Sequence, residues 1–131
     1  MYANKVVHVN EALYYLGINW LDSSVKYEVD HLHPYSKFDC RPVGVSMSDW
    51  KISHSNRNRM PNLHLLPGIA NAKKLDSPLD IYVNSMTEKQ KTDFYEQALI
   101  PSDISLNIKD FNDFYEKRKT LLTQRLKDLL N

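Results

Sequence analysis

The sequence predicts an α+β fold: a small two-stranded unit embedded in a mainly helical domain. Three observations carry this prediction. Two short stretches, 25–29 and 62–66, alternate side chains with the period of two expected of half-buried strands. Two later stretches, Thr87-Glu-Lys-Gln90 and Asn107-Ile-Lys-Asp110, have the form of helix-capping sequences. The second opens an apolar stripe at helical spacing: Phe111, Phe114, Tyr115, Leu121, Leu122, Leu126, Leu129 and Leu130.

At 131 residues the chain fits a single domain, 1–131. Hydrophobic residues make up 42%, enough to build one core. Three Gly and six Pro are too few for a long low-complexity linker. The single cysteine, Cys40, excludes an intrachain disulfide and a Cys-rich zinc cluster. No stretch approaches the roughly 20 apolar residues of a membrane span. Met1-Tyr-Ala-Asn-Lys5 is not followed by the apolar run of a signal peptide, so the cytoplasm is the expected compartment, with no membrane partner.

Taken in order, Asn10 is placed to cap a short helix over 11–16 that ends at Gly17, with Leu13, Leu16 and Tyr14 on its buried face. The first strand, 25–29, puts Val25, Tyr27 and Val29 on one face, and Pro34 prevents its continuation. Residues 38–60 read as a long irregular connection rich in Ser, Asn and Arg, with Trp50 anchoring it to the core. The second strand, 62–66, sets Leu63 and Leu65 against the core and turns Asn62 and His64 the other way. Pro67-Gly68 allows a turn into a short helix, 69–75, on which Asn71 and Lys74 share a face. A helix follows the first capping box to about Leu99, burying Phe94, Ala98 and either Tyr95 or Leu99, and Pro101 stops it. The final helix is read as covering the core.

Net charge is only +1, so the overall field does not argue for nucleic acid. The distribution does more. From Trp50 to Leu75 there is no Asp or Glu, while Lys51, Arg57, Arg59, Lys73 and Lys74 are basic and His54 and His64 lie in the same run. Beside a hydrolytic site such a surface can hold a phosphate backbone. Taken alone, it is ordinary solubilising charge.

The chemistry-bearing residues fall in a definite order: Asp30-His31 at the end of a strand, Asn62 at the start of the next, then Asn71-Ala-Lys-Lys74. A hard carboxylate, an imidazole, an amide and cations are the components of metal-assisted attack on a phosphodiester. Singly, each has a blander reading as a turn acid, an exposed strand-end histidine or a surface amide.

The ordered set resembles the ββα-metal (His-Me finger) core of HNH endonucleases, in the variant whose third signature position is Asn. The resemblance covers roughly 25–75, with 86–131 as supporting C-terminal helices. Val29-Asp-His-Leu-His-Pro-Tyr-Ser36, Pro61-Asn-Leu-His-Leu-Leu66 and the later Phe114-Tyr-Glu-Lys-Arg118 are similar to the C-terminal nuclease domain of GmrSD-like, modification-dependent restriction proteins. This resemblance implies a metal-dependent DNA endonuclease from a restriction or anti-phage defence system. His31 would be the general base and Asn62 a brace for the loop that carries it. Asp30 and Asn71 would hold one divalent ion, Mg²⁺ in the first place, with Mn²⁺ or another divalent ion as the alternative. Lys74, Lys73, Arg57 and Arg59 would contact substrate phosphates. The implied partners are double-stranded DNA and an NTP-binding domain or subunit outside this chain. His33 departs from the branch's usual apolar or aromatic residue, leaving two readings: a buried filler, or a contact to substrate or metal. His64 shares the Asn62 strand face and is a further candidate contact. The other function classes are a nucleic-acid-binding module without catalysis and a helical interaction domain.

Overall fold

In a computed structural model, residues 11–17, 20–68, 70 and 74–131 are described. A helix, α1, covers 11–16 and turns its Leu13 and Leu16 into the core, while Tyr14 is exposed. The expected cap, Asn10, lies outside the described residues. Gly17 follows, but not because the backbone turns left-handed. A Cβ there would sit 2.7 Å from Leu21 Cδ1, so the glycine permits a close approach of the next turn.

Strand β1, Tyr27–His31, pairs antiparallel with β2, Leu63–Pro67. Tyr27 faces Pro67, Asp30 faces His64 and His31 faces Leu63. β1 therefore starts and ends two residues later than the alternation predicted. Val25, outside the strand, and Val29 are exposed, and Tyr27 packs against the apolar cluster of Leu63 and Leu65. The strand runs through His31, and the chain bends only after it. β2 meets its expectation more closely: Leu63 and Leu65 join Leu13, Leu16 and Leu122 in one apolar cluster.

The connection between the strands is not irregular throughout. It contains α2, Met47–Asn56, whose N-cap Ser46 accepts a hydrogen bond from the Asp49 amide at 3.1 Å. Ser46 and Asp49 form a start signal that the Ser- and Asn-rich composition obscured. Trp50 anchors this helix as expected, stacked on Phe38 at 5.7 Å. Its Ser53 donates to Asn112 Oδ1 at 2.8 Å, and Asn112 Nδ2 donates to the Asp49 carbonyl at 2.9 Å.

Beyond β2, Gly68, Ala70 and Lys74 have helical backbone and Leu75 turns out at a φ of 50°. Two helices follow: α3, Leu79–Asn84, and α4, Glu88–Gln97. The Thr87–Gln90 capping box forms with both reciprocal hydrogen bonds. Asn107 caps a single 3₁₀ turn, and α5, Phe111–Leu130, follows directly.

α5 is the spine of the larger apolar cluster, which holds Leu32, Phe38, Trp50, Leu79, Val83, Phe111, Phe114 and Tyr115. Its stripe is interrupted by Arg118, which is buried to 1% exposure, whereas Leu130 is largely exposed. The fold is thus α+β, a two-stranded antiparallel hairpin amid several helices. Among the described residues, no helix is long and apolar enough to cross a membrane.

Candidate functional site

The hairpin register creates the first half of the site. Asp30 lies directly across from His64, and the His64 Nε2 is 2.8 Å from Asp30 Oδ2. Lys74 Nζ reaches the same oxygen at 3.1 Å, donates to the His31 carbonyl at 2.9 Å, and stands 5.5 Å over the Tyr82 ring. Burial by itself would raise the Asp30 pKa. The hydrogen bond and charge interactions of His64 and Lys74 outweigh it and hold the carboxyl below its ordinary value. Burial lowers the His64 pKa more strongly than Asp30 raises it, so His64 is neutral at pH 7 and donates its Nε2–H to the carboxylate.

The second half faces the other way, because consecutive residues of a strand point to opposite sides. The His31 ring lies edge-on to Tyr35, centroids 5.8 Å apart, and its Nε2 is 2.7 Å from Asn58 Oδ1. Arg57 stacks over Tyr35 at 4.5 Å and donates to the Tyr35 hydroxyl at 2.7 Å and to the His54 carbonyl at 2.7 Å.

Asn62 joins the halves from beneath, with its side chain fully buried. Its Oδ1 accepts from the His33 amide at 2.9 Å, and its Nδ2 donates to the His33 carbonyl at 3.0 Å and the Arg57 carbonyl at 2.8 Å. One amide therefore fixes the loop after His31 and the end of the α2 connection. A buried amide with all three groups satisfied is rigid, and costly to disturb.

Arg118 supports Asn62 in turn. Its Nη1 donates to the carbonyls of Met60, Pro61 and Leu63 at 3.1, 2.9 and 2.8 Å. Its Nε and Nη2 both donate to Ala98 O. Among the described residues this guanidinium binds no carboxylate, and burial lowers its pKa to about 9. It staples the 3₁₀ turn Met60–Asn62, and hence Asn62, to α5. In the sequence Arg118 is the middle of Lys117-Arg118-Lys119, and only its helical spacing from Phe111, Phe114, Tyr115 and Leu122 sets it apart from its two neighbours.

Chemistry divides the histidines sharply. The ring of His33 does not enter the site. It sits 5.3 Å from Phe111 and 4.7 Å from Phe114, edge to face, with Nε2 buried and, among the described residues, without a hydrogen-bond partner. Burial, assisted by the charge of Lys74, pulls its pKa down to about 3. Of the two readings for His33, the geometry matches the buried filler: the side chain is 1% exposed and packs against Phe111 and Phe114. With His33 in the aromatic core, His64 on Asp30 and His31 across the strand, these three rings do not form a cage. Among the described residues, no three His, Cys, Asp or Glu side chains group as metal ligands.

The cations also separate. Lys74 is buried against Asp30 and the His31 carbonyl, so it braces the site from inside instead of standing free for a phosphate. Arg57 lies at the His31 side. Arg59 is exposed, and its charge acts on Tyr115, where it partly offsets the rise in pKa that burial causes. Asn71 and Lys73 lie outside the described residues.

No protein-family model matches the chain, and no curated protein matches it either.

Whether the residues fit a divalent cation is a question of donors. Mg²⁺ takes hard, ionised oxygen and keeps several of its waters, so one or two protein ligands suffice. Asp30 is such an oxygen donor, ionised at neutral pH and supported through Oδ2 by a histidine, as ligating carboxylates commonly are. The Lys74 ammonium is an internal competitor for the same carboxylate. The donor chemistry fits a hard cation at Asp30.

Proposed function

We propose that this chain is a metal-dependent endonuclease of the HNH, ββα-metal type, hydrolysing phosphodiester bonds of double-stranded DNA. On this reading it is the nuclease module of a restriction or anti-phage defence system, working with an NTP-binding domain or subunit outside the chain. The observation that carries the reading is the Asn62 clamp. A single buried amide ties the loop behind His31 to the segment in front of it, while Asp30 stands next to His31 on the opposite strand face. That is a preorganised acid–imidazole pair on a rigid hairpin.

Asp30 would hold the divalent ion, with Asn71 as its partner by resemblance. When bound, the ion supplies Lewis-acid stabilisation of charge on the scissile phosphate and leaving oxygen. The chain's own residues do the rest. His31 accepts the proton of the attacking water, a role suited to an imidazole near neutral pH. Asn62 keeps the His31 loop from relaxing. His64 and Lys74 keep Asp30 ionised and in place. Arg57, already pinned by Tyr35, offers its guanidinium to a flanking phosphate. The products would carry 5′-phosphate and 3′-hydroxyl ends.

Incubation with supercoiled plasmid, modified and unmodified, and Mg²⁺ or Mn²⁺ tests this. Nicking that stops in chelator and in His31→Ala is expected. Cleavage that survives both changes would refute it.

A further inference from the structure

We infer that Asn58 is a positioning residue that sets the tautomer of His31 and presents Nδ1 as the nitrogen that takes the proton. The inference rests on reading His31 as the base and adds the group that aims it. Asn58 Oδ1 lies 2.7 Å from His31 Nε2. An amide oxygen only accepts, so the hydrogen of this bond belongs to Nε2. A neutral imidazole has one N–H, and Nδ1 is left with its lone pair free.

Asn58 is exposed, yet its backbone is not loose. The preceding residue, Arg57, has its carbonyl held by Asn62 at 2.8 Å, and its guanidinium is held by the His54 carbonyl and the Tyr35 hydroxyl. Tyr35 in turn walls the His31 ring at 5.8 Å. The Asn62 amide that clamps the His33 peptide behind His31 thus also fixes the platform from which Asn58 reaches the ring. Ring and backbone of His31 are referenced to one buried group, which is the condition for holding a base within fractions of an ångström.

The test compares the wild type with Asn58→Leu, Asn58→Ala and Asn58→Asp. Leu and Ala remove the acceptor; Asp keeps one. In ¹⁵N-histidine NMR at a single, mildly alkaline pH, His31 should carry its proton on Nε2 in the wild type and Asn58→Asp. The Leu and Ala variants should show tautomers in exchange. In plasmid cleavage, kcat should fall about 10- to 100-fold in those two variants, as for other partners that orient a functional histidine. KM should stay near the wild-type value, since an aiming group acts on the chemical step. Asn58→Asp should recover most of the rate. A His31 proton on Nδ1 in the wild type overturns the proposal, as does full activity in Asn58→Leu. A wild type that cuts while Asn58→Leu cuts equally well removes only the role of Asn58. A wild type that cuts nothing under any metal removes the nuclease reading as well.

Discussion

Asp30 and His31 are consecutive in the chain and live in different surroundings. The Asp30 carboxylate is almost enclosed and shares one oxygen between a neutral imidazole and a fully buried ammonium. The His31 ring is half-exposed beside a tyrosine that is 46% exposed, and is held by a single exposed amide. The strand's alternation divides the work: the inner face fixes a charge, and the outer face leaves a base in contact with water. A charge is held by strong interactions in low dielectric, where those interactions also carry stability. A base that must exchange protons needs solvent, and its loss should cost rate and little stability.

The largest expected effect breaks the outer face alone. His31→Ala should lower cleavage by about 10²- to 10⁴-fold, the range for a general base. It should change unfolding free energy by less than about 1 kcal/mol. Rates and urea curves on the same preparation check both halves; a large stability loss would mean that the two faces are not separable.

The inner face should behave in the opposite way. Lys74→Met removes a buried ammonium from Asp30 and from the His31 carbonyl, and should destabilise by about 3 kcal/mol in urea. Loss of less than about 1 kcal/mol would show that this pair does not hold the face.

His33 sharpens the comparison by pH. Its folded-state pKa, about 3, lies below the ordinary 6.5, so the unfolded chain takes up the proton first. The stability this gives is complete above about pH 6.5 and is lost as pH falls toward the folded value. At 1.36 kcal/mol per pKa unit, about 3 kcal/mol should be gone near pH 4.5. His33→Leu should flatten that acid limb in urea unfolding at stepped pH; an unchanged limb would assign it to other groups.

Arg57→Ala is the mildest change. DNA affinity should fall several-fold for all sequences alike, and the slope of log affinity against log salt should shrink by about one. An unchanged slope in fluorescence anisotropy titrations would place Arg57 off the DNA path.

The local elements were legible where the signal was local. The Thr87–Gln90 box, the Leu63 and Leu65 alternation and the apolar start of α5 each follow from neighbouring residues alone. The polar composition of α2 hides its Ser46 cap, and β1 lies two residues later than the alternation predicts because Val25 stays outside while pairing continues through the polar Asp30 and His31. In the site, the sequence named Asp30, His31 and Asn62, and it named Lys74 and His64 as contacts to substrate without their pairing to Asp30. Arg118 entered only as the end of the Phe114–Arg118 stretch, and Asn58 lay unassigned within the 38–60 connection.

By itself, the sequence determined which chemical groups arrive and in what order, together with the periods and caps that turn stretches of chain into strands and helices. Those rules act over one or two turns, so they can be read locally. Only the tertiary structure decided which partners meet: His64 on Asp30 across the hairpin, Asn58 on His31 at a separation of 27 residues, and Arg118 on Met60, Pro61 and Leu63 from more than 50 residues away. Strand register and the docking of α5 set those meetings. The same cause sent three histidines of the two strands and the loop after the first, His64, His31 and His33, to a carboxylate, to an exposed amide and to an aromatic core.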